Sequence, residues 1–418
     1  MKLFHNSIFC TFLLLLISLP SPARGLRVAF VGDPQVDDSL ELGFARRSIY
    51  RELMQRKDID LAVFLGDLVN DDTSMLPATR RTLDSLPFRW FCVPGNHDRD
   101  LYPKNPDGTR RVRDLQTYRK VIGRPDTAFV KDGIRFILMN DVRHSERGEY
   151  EDGLTKGQKE WLDSVVTASS GNVTLTVFAA HIPFSRSERA DSVMAILEKA
   201  GRLMPVFGHT HTVSRHSLRM PSGRETEILL AGASCGSWWR GVPDGDGIPY
   251  ALQNCGAPRG YFIASFKGGG DYSLKYKCVG RPESEMCSAY ALPASSPKDS
   301  TLLIVNVFGG SSDGILEAKV KGVKGWIQLS PDAVNAPEVL EVIDFNRKAT
   351  KEERKKNKRD FIPLRNMKSP HVWSAVIPYA AESPAGRTLK VRYRDAHTSF
   401  TSSVVLKDGT SLLQKRGR

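Results

Sequence analysis

The sequence predicts a layered α/β domain followed by a small all-β domain, and two observations carry that expectation. Over residues 25–285, apolar runs end in short polar motifs and alternate with stretches of helical periodicity. Beyond residue 300, short β-like runs alternate with Gly, Asp and Pro turns.

At the start of the chain, residues 1–23 carry Lys2, an apolar stretch from Phe9 to Leu19 and the small residues Ser21-Pro22-Ala23, the pattern of a secretory signal peptide. The apolar stretch falls short of the roughly 20 residues a membrane span needs. The expectation is therefore an exported protein, periplasmic or extracellular, with no transmembrane segment after cleavage. The runs Val28-Ala29-Phe30-Val31, Leu61–Leu65, Trp90–Val93, Leu175–Ala179 and Met204–Phe207 are apolar throughout rather than alternating, which predicts strands covered on both faces. Ile134 to Asn140 is a further strand of this kind. Arg46 to Gln55, Gly157 to Val166 and Asp191 to Lys199 have helical spacing, and Thr155 with Gln158 has the spacing of a capping box. Ile228–Ala231, Tyr261–Ala264 and Tyr272–Tyr276 are β-like, the last two joined by the turn Gly268-Gly269-Gly270-Asp271. Residues 286–300, rich in Ser, Pro and Ala, are expected to be a linker. Leu302–Phe308, Ile315–Val320, Trp326–Leu329, Val372–Ile377, Leu389–Tyr393 and Ser402–Leu406 then suggest a small antiparallel β-sandwich over 301–418.

The chemistry lies in the polar motifs that cap the apolar runs. Asp33-Pro34-Gln35, Gly66–Asp71, Gly95-Asn96-His97-Asp98, Ala180-His181-Ile182-Pro183 and Gly208-His209-Thr210-His211 each come after a predicted strand. Ligand sites of layered α/β folds form at strand carboxyl ends. Singly, each motif has an ordinary explanation: a turn, a helix cap or a buried histidine. Together, in this order, they supply oxygen and nitrogen donors without thiolate, a set that suits Mn, Fe, Zn or Mg.

This set resembles the calcineurin-like metallophosphoesterase superfamily over roughly residues 25–285, within a domain expected to span 24–285. The resemblance implies a two-sheet αββα sandwich and two divalent metal ions at the strand ends. It implies that Asp67 bridges them, that Asp33, Gln35 and His211 hold one, and that Asn96, His181 and His209 hold the other. Gln35 departs from the family, which usually has histidine there; a branch of the superfamily shares Asp-Pro-Gln. The implied activity is hydrolysis of phosphate mono- or diesters by a metal-bridging hydroxide. His97 matches the family's non-ligand histidine and is the candidate general acid, with Asp98 expected to orient its ring. Cys235–Gly241 and Asp246–Pro249 resemble a secreted bacterial branch with its own C-terminal β domain. Trp238, Trp239 and Arg240 are the candidate substrate wall, because indole stacks on sugar rings and Arg grips anions. The competing class is a non-catalytic, metal-containing binding protein for a phosphorylated glycan or lipid.

The formal net charge of +13 is concentrated in part between Arg347 and Lys368, a run expected to be a solvated loop. Few aromatics accompany it, which argues against nucleic acid and leaves a phosphorylated small molecule, glycan or lipid headgroup as substrate. Cys92 is expected to be a buried thiol, whereas Cys235 with Cys255 and Cys278 with Cys287 could pair in an exported protein.

Overall fold

The computed structural model describes residues 25–102, 105–106, 113–144, 150–168, 171–184, 188–294, 300–320, 323–377 and 386–409. The proposed signal peptide lies outside them. The first sheet holds Arg27–Val31, Leu61–Phe64 and Arg89–Cys92 in parallel, with Gly260–Phe266 and Tyr272–Cys278 added antiparallel beside Arg27–Val31. The second holds Ile134–Leu138, Leu175–Ala179, Leu203–Phe207 and Glu225–Ala231 in parallel, edged by Thr127–Lys131 and Val213–Arg219.

The absence of alternation in the sequence has its expected cause. Val28, Phe30 and Val63 of the first sheet meet Phe136, Val177 and Val206 of the second in one core. The opposite face of the first sheet, Ala29, Val31 and Phe64, packs beneath helical residues Phe44, Ile49 and Leu83. The opposite face of the second, Ile137 and Phe178, packs beneath Leu162 and Val193. The layers therefore run helix, sheet, sheet, helix. The helix expected at 46–55 starts earlier: Ser39–Ala45, a π-helical turn Arg46–Tyr50 and Arg51–Gln55 run on from one another. Asp38 caps this run by accepting from the Glu41 N–H. Thr155 and Gln158 form the expected capping box on Lys156–Thr167.

The C-terminal region differs from the expected sandwich. Its seven strands close into a barrel, because Cys287–Pro293 pairs with Thr301–Val307 on one side and Ser399–Asp408 on the other. Closure leaves no free edge. Cys287–Pro293 falls inside the stretch expected to be a linker. Its small residues Cys287, Ala289 and Ala291 fill the barrel, while Tyr290 and Leu292 face the other way into a second cluster. Composition suggested a linker, but side-chain volume suits a tightly packed strand.

The basic stretch is likewise not simply a loop. Pro337–Lys348 is a helix, and Thr350 caps a short second helix, Lys351–Lys356. Val339 and Leu340 of the first pack with Tyr290, Ile304, Ile362 and, from the α/β domain, Leu252. That shared cluster joins the two regions. The five described cysteines are all buried and unpaired, so the two pairings considered do not form.

Candidate metal centre

The site is assembled from turns that leave the parallel strands at one end. Asp33, Gln35, Asp67, Asn96 and His97 come from the first sheet, and His181, His209 and His211 from the second. The turns are conformationally demanding. Asp33, Gln35, Asp67, His209 and His211 all have positive φ, between 37° and 69°. Left-handed backbone is uncommon for residues other than glycine and gathers where function fixes geometry. The flanking glycines leave the room this requires. A Cβ on Gly95 would lie 2.0 Å from the Asp67 carboxylate, and one on Gly208 would lie 2.4 Å from that of Asp33.

The donor atoms converge. His181 Nε2 lies 3.0 Å from Asn96 Oδ1, 3.3 Å from Asp67 Oδ2 and 3.2 Å from His209 Nδ1. Asp67, His181 and His209 place ligand atoms within 4.8 Å of one another. Beside this group, His211 Nε2 lies 3.5 Å from Asp33 Oδ2, and both Asp33 oxygens accept from the His209 N–H. The Gln35 N–H donates to the Asp67 carbonyl at 2.7 Å, its Nε2 donates to Asn70 Oδ1, and its Oε1 accepts from the Cys235 thiol at 3.8 Å. All seven residues expected as ligands are therefore neighbours.

Backbone carbonyls set the imidazole tautomers. His181 Nδ1 lies 2.7 Å from the Leu65 carbonyl, and His211 Nδ1 lies 2.6 Å from that of Gly236. A carbonyl only accepts, so in the neutral ring Nδ1 carries the proton and Nε2 keeps its lone pair. Both lone pairs then face carboxylate oxygens across buried space. Lone pairs facing lone pairs are resolved by a cation, and carbonyl partners on the distal nitrogen are the usual support of metal-binding histidine. The residues present thus fit divalent metal.

Electrostatics without a cation point the same way. Burial pushes the Asp33 carboxyl up to about 8, with the Asp67 charge adding to the rise and His181 opposing it. Burial opposes protonation of His181, but the Asp67 and Asp33 carboxylates outweigh it and lift the ring to about 10. Burial and His181 push His209 down to about 3, and burial holds His211 at about 4. The protein alone must share protons among these groups, whereas a cation would take their place.

Two expectations about neighbouring residues need correction. Asp98 does not face the His97 ring. Its carboxylate accepts from the Gly95 and Val69 N–H groups at 2.9 and 3.1 Å, tying two ligand loops together. Asp71 is the residue beside His97, with Oδ1 3.1 Å from Nδ1, and it is also held by Arg113 at 2.6 Å. The signal was present in the sequence, since Asp71 closes the Gly66–Asp71 motif. Asp141 supports His181 by accepting from the N–H groups of His181 and Ile182, both at 3.0 Å.

The tryptophan pair divides. An extended chain would send neighbouring side chains to opposite faces, but Trp238 and Trp239 lie in a turn with φ of 55° and 50°. Trp239 is fully buried in the core beneath the first sheet and donates Nε1–H to the Pro34 carbonyl at 2.8 Å. It supports the Asp33-Pro34-Gln35 turn from below and is not part of a substrate wall. Trp238 is half-buried and stacks on the His211 ring at 4.7 Å. Arg240 is half-buried and its carbonyl accepts from the Ala251 N–H. Trp239→Phe keeps an aromatic ring and removes one buried hydrogen bond. It leaves the buried Pro34 carbonyl without its donor, so it should cost about 1–3 kcal/mol of stability and reduce metal content through the Pro34 turn. Unchanged metal content in that variant would show the turn to be self-supporting.

A hairpin of Val142–His144 and Tyr150–Asp152 is also near the centre, and no motif in the sequence signals it. The Tyr150 ring meets that of His209 edge-on at 5.5 Å, and His144 lies 6.1 Å from Tyr150. Burial and the nearby Arg99 and Arg113 hold His144 down at about 4, so at neutral pH it is an uncharged ring. His216 lies on Val213–Arg219 with Nδ1 3.1 Å from Ser214 Oγ, engaged locally.

Residues 26–213 match the family model for calcineurin-like phosphoesterase, and residues 229–399 match that for the C terminal of calcineurin-like phosphoesterase. The second match begins inside the α/β domain and ends in the barrel, in keeping with the packing shared between them. No curated protein matches the chain.

Proposed function

We propose that this chain, a calcineurin-like phosphoesterase by its two family matches, is an exported hydrolase of phosphate mono- or diesters that uses two divalent metal ions. The observation that carries the reading is the pair of imidazole lone pairs, on His181 and His211, held toward Asp67 and Asp33 by backbone carbonyls. Divalent ions held by Asp33, Gln35, Asp67, Asn96, His181, His209 and His211 would neutralise phosphoryl charge and lower the pKa of water. The chain's own residues supply the rest. Export rests on the leader pattern at 1–23; among the described residues no helix is long and apolar enough to cross a membrane.

His97 follows the ligand Asn96 directly and is partly open to solvent, so a phosphoryl group at the centre lies beside its ring. The Asp71 carboxylate faces Nδ1, which orients the ring and favours its protonated form. Although burial disfavours that form, Asp71 and Asp67 outweigh it and raise His97 above the usual histidine value. As water oxygen bonds to phosphorus and the phosphorus–oxygen ester bond breaks, an imidazolium proton passes to the leaving oxygen. Asp71 is thus a positioning residue and His97 the acid.

The deciding experiment combines metal analysis of the purified protein with hydrolysis of 4-nitrophenyl phosphate and bis(4-nitrophenyl) phosphate. Turnover that chelation abolishes and added metal restores is expected. Bound metal without turnover of any ester would identify a binding protein instead. For the acid, His97→Ala should lose about a hundred- to ten-thousand-fold on alkyl phosphates and far less on nitrophenyl esters, whose leaving groups need no proton. Equal losses on both would assign His97 to phosphate binding.

A further inference from the structure

A segment of the C-terminal region reaches the metal centre. Between the helical stretch and the barrel strand Val372–Ile377, residues 359–367 run along the α/β domain. Arg359 pins the start of the segment to Glu41 at 2.5 Å, with Asp38 at 3.9 Å. Ile362 is buried in the shared cluster with Leu252. The Arg365 N–H donates to Asn254 Oδ1 at 3.1 Å, and the Asn254 N–H donates to the carbonyl of the ligand His211 at 3.1 Å. Thr212, next to His211, points its hydroxyl at Met367 Sδ at 3.8 Å. Arg365 is therefore one hydrogen-bonded residue away from a metal-site loop.

The backbone of Arg365 is thus tied to the His211 loop through Asn254. Arg365 itself is exposed, and among the described residues it forms no ion pair. Arg359, in contrast, is engaged in anchoring. An Arg held beside a phosphoryl site by a fixed backbone, with its fork unclaimed, is suited to a second anion.

We propose that Arg365 binds a second anionic group of the substrate, so that the preferred substrates are phosphate esters carrying a further phosphate or carboxylate. This rests on the phosphoesterase reading and narrows its substrate class. It also gives the C-terminal region a part in recognition: the barrel and its helices present Arg365, and the α/β domain supplies the chemistry. The excess positive charge of the 347–368 stretch would raise the local concentration of such anions.

The test uses the full, metal-loaded chain and its Arg365→Ala and Arg365→Lys variants. Phosphate release is measured from glycerol phosphate, a hexose bisphosphate and a phosphoglycerate, which bear no second anion, a phosphate and a carboxylate respectively. Binding of propylphosphonate and propane-1,3-bisphosphonate is measured by calorimetry as a readout independent of turnover. A charge-assisted hydrogen bond is worth roughly ten- to a hundred-fold. Wild type should prefer a two-anion ligand, and Arg365→Ala should shrink that preference by about tenfold or more. Arg365→Lys, which keeps the charge without the fork, should retain part of it. The arm that loses more, bisphosphate or phosphoglycerate, identifies the second group. If the preference is absent from wild type, or persists in Arg365→Ala while esters are still hydrolysed, Arg365 has no such role and the phosphoesterase reading stands. If no ester, bis(4-nitrophenyl) phosphate included, is hydrolysed in a metal-dependent way, that reading fails and this inference falls with it.

Discussion

Asp67→Asn should strip the protein of most of its metal and at least about a thousand-fold of its activity, since metal ions supply several kcal/mol of transition-state stabilisation. Asparagine is the informative choice because Asp67 has two duties. Its Oδ1 accepts from the His97 N–H at 2.9 Å, while Oδ2 faces His181 Nε2 at 3.3 Å. An amide oxygen can keep the first contact, whereas alanine would leave a buried N–H unpaired at a cost of about 1–3 kcal/mol. The substitution therefore removes the charge with little change in shape. The carboxylate is held ionised against its burial by the neighbouring His181, which is the state a cation requires. Metal analysis and circular dichroism on the same sample separate the effects. Full metal content in a folded Asp67→Asn protein would remove the basis for a dinuclear centre. Loss of fold along with metal would instead make Asp67 a structural residue of the loop.

The candidate ligand set was legible in the sequence because strand ends need little tertiary information. Once Val28–Val31, Leu61–Leu65 and Leu175–Ala179 are recognised as buried strands, parallel pairing brings Asp33, Asp67 and His181 to one end. What lay beyond sequence reasoning depended on side-chain direction. Asp71 and Asp98 are both acids near His97, and the sequence neighbour was the natural choice for its partner. The turn at Gly95–Asp98 instead directs Asp98 back to the backbone, leaving the ring to Asp71. Trp239 shows the same limit: alternation separates neighbouring side chains without saying which of Trp238 and Trp239 is buried, and the turn puts Trp239 in the core. The barrel was missed for a different reason. Its closing strand, Cys287–Pro293, turns the small residues Cys287, Ala289 and Ala291 into the barrel, and composition does not distinguish a strand packed against neighbours from a linker. Arg365 carries no motif at all. Its place depends on Asn254 and on the packing of Ile362, contacts more than a hundred residues apart in sequence.

That packing has a polar keystone, and removing it should be among the most destabilising single changes in the protein. Arg215, on the edge strand Val213–Arg219 of the second sheet, is fully buried. Its guanidinium donates to Glu227 at 3.1 Å within its own domain. Across the boundary it reaches Asp395 at 2.8 Å, Thr398 Oγ1 at 3.0 Å and the Gly309 carbonyl at 3.4 Å. Burial pushes the Asp395 carboxyl up, but the hydrogen bonds and charge of Arg215 prevail and hold it below its usual value. Glu227 remains above its usual value because burial outweighs the same partner. Arg215→Met would fill similar volume and leave both acids desolvated without a cation, at a cost of about 3–5 kcal/mol near neutral pH. The pH dependence identifies the cause. In the wild type, stability from Asp395 is present above about pH 3.9 and is lost as pH falls through its lowered folded value. In Arg215→Met both carboxyls sit above their unfolded values, so the folded variant binds more protons than its unfolded chain, and its stability rises as pH falls from 7 toward 5. The gap between variant and wild type should therefore narrow over that interval in urea unfolding followed by tryptophan fluorescence. A pH-independent loss would assign the cost to packing. A loss below about 1 kcal/mol would mean that the domains are held by their apolar contacts alone, with Phe308 in the inter-sheet core and Tyr272 stacked on His397 at 4.0 Å.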